Sequence, residues 1–197
     1  VPKKDFGSWV VLCEDDKGRL NAGDQYGSLY RFDRPALGET LDDKDLEKID
    51  LDIGHAWGLL YAFDSLYVVV NEKKHKGRGL YRIQDTNGDD KFDKVTLLKK
   101  FQEVGGEHGP HAVVLSPDGK SLYVACGNQT ALPDYQSSRV TECWSEDTLQ
   151  PRIYGRGFMK GVEAPRGWIC KTDPEGENWE VGATGFRNQY DIDFNLE

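Results

Sequence analysis

Three segments of this chain obey one grammar, and that internal repetition limits the possible folds more than any other feature of the sequence. Each segment runs polar turn, Leu-led strand, spacer, second strand, closing Asp. The first reads AspAspLysGlyArgLeu at 15–20 and GlySerLeuTyrArgPheAsp at 27–33. The second reads PheAspSerLeuTyrValValVal at 63–70 and ArgGlyLeuTyrArgIleGlnAsp at 78–85. The third reads SerProAspGlyLysSerLeuTyrValAla at 116–125 and ArgGlyTrpIleCysLysThrAsp at 166–173. The leading Leu falls at 20, 66 and 122, so the period is 46 and then 56 residues. Four-stranded β-propeller blades repeat at about that interval. The expected fold is therefore all-β: a β-propeller fragment of about three blades and the start of a fourth. The boundaries are about 6–40, 50–104 and 108–184, with 185–195 opening the fourth and its inner strand at 190–195.

The third repeat is interrupted by a long insertion at about 128–165, rich in Pro, Ser, Gly and charge. A connection of that length reads either as a functional loop over one end of the fold or as a surface ornament. One short helix is expected at 41–49, where Leu41, Leu46 and Ile49 make a partial apolar stripe. A propeller needs at least four blades to close. The chain thus reads as a piece of a larger ring that either continues into further blades or self-associates. Composition excludes several function classes. With 25 Lys+Arg against 34 Asp+Glu the net charge is −9, which offers no basic surface for a nucleic acid backbone. The longest apolar run, LeuTyrValValVal at 66–70, is far short of the ~20 residues of a spanning helix. Cys13, Cys126, Cys143 and Cys170 are too widely spaced for a zinc ribbon, and their pairing is left open.

Three places could carry chemistry. Asp85, Asn87, Asp89 and Asp93 occupy positions 1, 3, 5 and 9 of a loop resembling a calcium-binding loop, although Asp90 replaces the usual Gly at position 6 and Thr96 the bidentate Glu at position 12. The same residues equally serve a polar hairpin turn. His108 and His111 lie in GlyGlyGluHisGlyProHisAla, 105–112, just ahead of a buried strand, with Glu107 beside His108 and glycines that let backbone approach a ligand. His55 holds the equivalent place in the second repeat. GlyPheArgAsnGlnTyrAspIle, 185–192, offers Arg187 as a planar fork for carboxylates and Asn188 as donor and acceptor. Nucleophile-elbow, Walker and dinucleotide motifs are absent.

GluHis at 107–108, the strand 113–128 and GlyPheArgAsn at 185–188 together resemble the six-bladed quinoprotein glucose/sorbosone dehydrogenases. AspGlnTyrGlySerLeuTyrArg and ThrAspProGluGly look closer still to large exported bacterial proteins known as membrane-bound dehydrogenases. That resemblance implies a pyrroloquinoline quinone (PQQ)-dependent sugar dehydrogenase, inactive as this fragment, with His108 as general base and Arg187 and Asn188 at the cofactor. It further implies calcium, a sugar-like substrate, a c-type haem domain further along, and an exported, periplasmic or cell-surface location. The alternative is a non-catalytic propeller module that binds carbohydrate or protein.

Overall fold

The computed structural model describes residues 7–72, 77–102, 108–141 and 166–195. They are all-β, with a single three-residue 3-10 turn and three separate sheets, none of which closes on itself. The all-β class is as expected, and a propeller ring is not shown among the described residues. The chain divides into two compact units, Val1–Lys100 and Phe101–Glu197.

The first unit holds two four-stranded antiparallel sheets, β1(Trp9–Glu14), β2(Arg19–Asp24), β3(Leu29–Asp33) and β4(Glu47–Lys48), then β5(Ala56–Ala62), β6(Ser65–Val70), β7(Gly79–Gln84) and β8(Lys94–Lys100). Strand alternation explains how they pack. Leu29 and the partly buried Val11 and Cys13 turn to one face of the first sheet and meet Ala56, Leu66, Val68 and Val70 of the second. Ala22, Tyr30 and Phe32 turn to the opposite face, where Trp9 stacks on Phe32 at 5.3 Å. Gly23 sits tight between its own sheet and the next, where an added Cβ would lie 2.7 Å from Val11 Cγ1 and 2.9 Å from Ala56 Cβ. Only a residue without a side chain fits there.

The expected helix at 41–49 is not formed. Asp43–Asp45 make one 3-10 turn, and Ile49 N–H donates to Leu29 O instead of to a helical carbonyl. Leu41 and Leu46 still bury apolar surface, but against Tyr30 and Phe32 of the sheet. Ile49 packs with Leu29 and Ala56 in the other cluster, so the three residues do not share one face, and sheet edge pairing won over a helix too short to propagate.

The second unit holds one sheet in the order β11(Ser137–Ser138), β13(Trp179–Thr184), β12(Trp168–Thr172), β10(Leu122–Cys126), β9(Pro110–Leu115). Its core is an aromatic trio. Phe101 meets Trp168 at 5.4 Å and Trp179 at 6.0 Å, edge to face, the geometry that ring quadrupoles favour. Both buried indoles satisfy their N–H, Trp168 on Thr130 O and Ala131 O, Trp179 on Gly176 O. Of the insertion, 128–141 are described and contribute β11; the rest lies outside the described residues. Residues 190–195 form no strand. Phe194 instead sets its ring edge-on to Tyr123 at 4.9 Å.

Leu20, Leu66 and Leu122 all lie in the second strand of their sheets, and the second halves of the repeats form the third strands β3, β7 and β12. The sheets share a further feature that the sequence did not disclose. In each, the first strand slips by one residue against the second, at Trp9/Val11, Ala56/Gly58 and between Pro110 and Ala112. The extra residues are Val10, Trp57 and His111.

Candidate functional site

Antiparallel pairing gathers four segments at one end of the second unit's sheet. Cys126, the last residue of β10, pairs with Pro110, the first of β9, and with Trp168, the first of β12, which pairs in turn with Thr184, the last of β13. The stretches before β9, after β10 and after β13 therefore meet. They carry His108 and His111, Asn128 and Gln129, and Arg187, Asn188 and Gln189.

His111 is the bulged residue of β9, and a bulge re-aims a side chain that regular alternation would point elsewhere. It is 2% exposed. Its Nε2–H donates to Asn188 Oδ1 at 2.8 Å, and its ring lies 5.1 Å from that of Tyr190. Burial, the main cause, together with the nearby His108, holds its pKa below the usual value, against the pull of the Asn188 hydrogen bond. His108 is 6% exposed, with Nδ1 2.7 Å from Asn128 Oδ1. Gly127 makes the close approach possible: a Cβ there would lie 2.7 Å from His108 O and 2.8 Å from Asn188 Oδ1. Gln189 Nε2 donates to Cys126 O and Trp168 O, fastening the 185–190 stretch across the strand ends.

His108 and Asn188, singled out in the sequence, are thus brought to one place. Arg187 joins them through its backbone, its carbonyl accepting from Asn128 N–H at 2.8 Å, while its guanidinium is exposed and makes no ion pair among the described residues. Glu107 lies outside the described residues. His55 is not the counterpart of His108: Ala56↔Val70 matches Pro110↔Cys126, which aligns His55 with Gly109. It serves the first unit instead, in the left-handed region at φ 53, donating its Nδ1–H to Gln25 O at 3.0 Å. Asn128 and Gln129 were missed by sequence reasoning, because their partner lies about twenty residues away and no local motif marks the contact.

Asp85, Asn87, Asp89 and Asp93 stay together in the β7–β8 turn of the first unit, and the structure gives each a backbone donor. Asp85 accepts from the N–H groups of Asn87, Gly88 and Asp90, Asn87 from Asp89, Asp89 from Lys91, and Asp93 from Thr86. Among the described residues no group of three or more His, Cys, Asp or Glu side chains is placed to hold a metal ion. Position 6 does adopt the left-handed conformation that usually calls for Gly, with Asp90 at φ 69. Its carboxylate leaves the turn to meet Arg19, through bonds of 2.7 and 2.9 Å, and Lys17 at 2.7 Å.

No family model matches the chain, and no curated protein does. Two solved structures from Trichoderma reesei, an iodide and a calcium structure of Carbohydrate-Active Enzymes Family AA12, are similar at 16% identity and a TM-score of 0.41. The match covers 62% of this chain and 30% of theirs. These findings correct the resemblance drawn from the sequence: the structural likeness is to AA12 enzymes and not to membrane-bound dehydrogenase propellers.

Proposed function

We propose that the second unit supplies one wall of a binding site for a hydroxylated, sugar-like small molecule in an oxidoreductase, with His108 as the base. The observation supporting this reading is the meeting of two buried imidazoles with the side-chain amides of Asn128, Gln129 and Asn188 at one sheet end. Neutral amides and imidazoles offer both donors and acceptors, the complement of a hydroxyl-rich ligand. In this reading His108 takes the proton of a ligand hydroxyl, and Asn188, held by His111, lines the wall. The exposed Arg187 guanidinium fits a carboxylate-bearing quinone, so Arg187 and Asn188 would hold such a cofactor, which supplies a two-electron acceptor when bound.

The reading is tested by following the imidazole resonances of the chain while titrating in an aldose or polyol. Saturable shifts at His108 and His111, without change at His55, are expected. Shifts spread evenly over the histidines, or none at millimolar ligand, would remove the support for a site at this sheet end.

A further inference from the structure

The β7–β8 turn carries the one Asn-Gly pair of the sequence, Asn87–Gly88, and it arranges around that pair the groups that an attack of backbone on side chain requires. Both residues are exposed. Gly88 has no side chain, and nothing beyond its chain neighbours lies within 4 Å of the place a Cβ would occupy, so a ring can close at its nitrogen uncrowded. Its N–H donates to Asp85 Oδ1 at 2.7 Å, which sets a carboxylate against the proton that must leave. The Asn87 side-chain carbonyl is the electrophile, and its Oδ1 accepts from Asp89 N–H at 2.9 Å, a donor already aimed where negative charge develops during addition. The other asparagines lack this combination. Asn21 is 1% exposed within β2, while Asn71, Asn128, Asn178, Asn188 and Asn195 precede Glu, Gln, Trp, Gln and Leu, whose side chains crowd the following nitrogen.

We propose that Asn87 is a site of spontaneous covalent modification, in which the Gly88 nitrogen gives up its proton and bonds to Asn87 Cγ. The C–N bond of the side-chain amide breaks, and its nitrogen leaves with that proton as ammonia. The five-membered imide so formed takes up water and opens at one carbonyl or the other, giving an aspartyl or an isoaspartyl residue at this position. Water is the sole co-reactant. Either product adds a carboxylate beside those of Asp85 and Asp89, and the isoaspartyl form also lengthens the main chain by one carbon. Both changes act on the stretch that seats Asp90 against Arg19 and Lys17, so the modification loosens the fastening between the two sheets of the first unit. The site lies in the first unit and does not depend on His108.

The test is peptide mapping by mass spectrometry of the full chain aged at mildly alkaline pH. The segment holding Asn87 should gain the mass of NH replaced by O ahead of every segment holding another asparagine, and a methyltransferase specific for isoaspartyl residues should label it. Gly88→Ala should slow the gain by about tenfold or more, because a methyl group misplaces the attacking nitrogen. Asn87→Gln, which would have to close a six-membered ring, should stay unmodified over the same time. The modified chain, once separated, should unfold at lower urea than the native one, as Asp90→Asn does. Asn87 left intact in the aged chain, or modified at the native rate in Gly88→Ala, overturns the assignment. A modified chain with the native urea midpoint overturns its link to the fastening at Asp90.

Discussion

Replacing Asp90 by Asn removes one charge and leaves the backbone alone, because Asn is among the few residues at ease in the left-handed region that Asp90 occupies at φ 69. The bond from Arg31 Nη2 to Asp90 O, 2.6 Å, is to the backbone and survives. What is lost is the two-bond pairing with Arg19, the contact with Lys17 and the longer ion pair of Arg31 Nη1 with Asp90 Oδ1 at 3.7 Å, which fasten the acidic turn of the second sheet to the first. The Asp90 side chain is 45% exposed, Arg19 18% and Lys17 52%, so solvent screens much of the interaction. Exposed pairs are worth about 0–1 kcal/mol, and fork geometry with a mostly covered arginine moves this one to the top of that range, about 1 kcal/mol. The Arg19 hydrogen bond, and after it that of Lys17, holds the Asp90 carboxyl well below the usual carboxylate range. A carboxyl depressed on folding contributes stability that is complete above its unfolded value, about 3.9, and is lost as pH falls further through the folded one. Urea unfolding of the native chain and Asp90→Asn should therefore differ by about 1 kcal/mol at pH 7. The difference should shrink in 1 M salt and again below about pH 4. A difference that is indifferent to both salt and acid would refute the electrostatic account.

Three further outcomes follow from named contacts. Gly127→Ala should displace His108 and Asn188, seen as altered imidazole resonances at His108 and His111, because the new Cβ would lie under 3 Å from both neighbours; unchanged resonances would show that the end of β10 can yield. The β5–β6 hairpin turns on Phe63 and Asp64 at φ 52 and 50, where Asn-Gly is preferred, so Phe63→Asn with Asp64→Gly should stabilise by about 1 kcal/mol in urea after the loss of the Phe63–Tyr67 contact. His111 resists protonation in the folded state, so its share of stability is complete above about pH 6.5 and is lost as pH falls through its lower folded value. The urea midpoint should accordingly drop between pH 7 and 5, and drop less in His111→Asn.

Much of the strand pattern was legible because it is local. Alternation and turn chemistry place Leu20, Leu66 and Leu122 in equivalent strands, and the turn at 85–93 folds through contacts between near neighbours. Leu41, Leu46 and Ile49 were legible as apolar but not as one face: the first two pack with Tyr30 and Phe32 and the third with Leu29, a division set by pairing with β3 and not by helical spacing. Residues 190–195 have the composition of a strand yet form none, because a strand needs a pairing edge that alternation alone cannot supply. At the site, His108 and Asn188 announced themselves by residue type. The bulge that turns His111 and the amides that grip His108 did not, because a slip in register leaves no mark on composition and the gripping bonds span about twenty residues.

With His108 as the base of a site at this sheet end, turnover depends on its imidazole. The whole protein bearing this chain, assayed for oxidation of an aldose with added quinone, should lose roughly 10²–10⁴-fold in kcat on His108→Ala while still binding the sugar. Equal turnover with and without the His108 imidazole would contradict it.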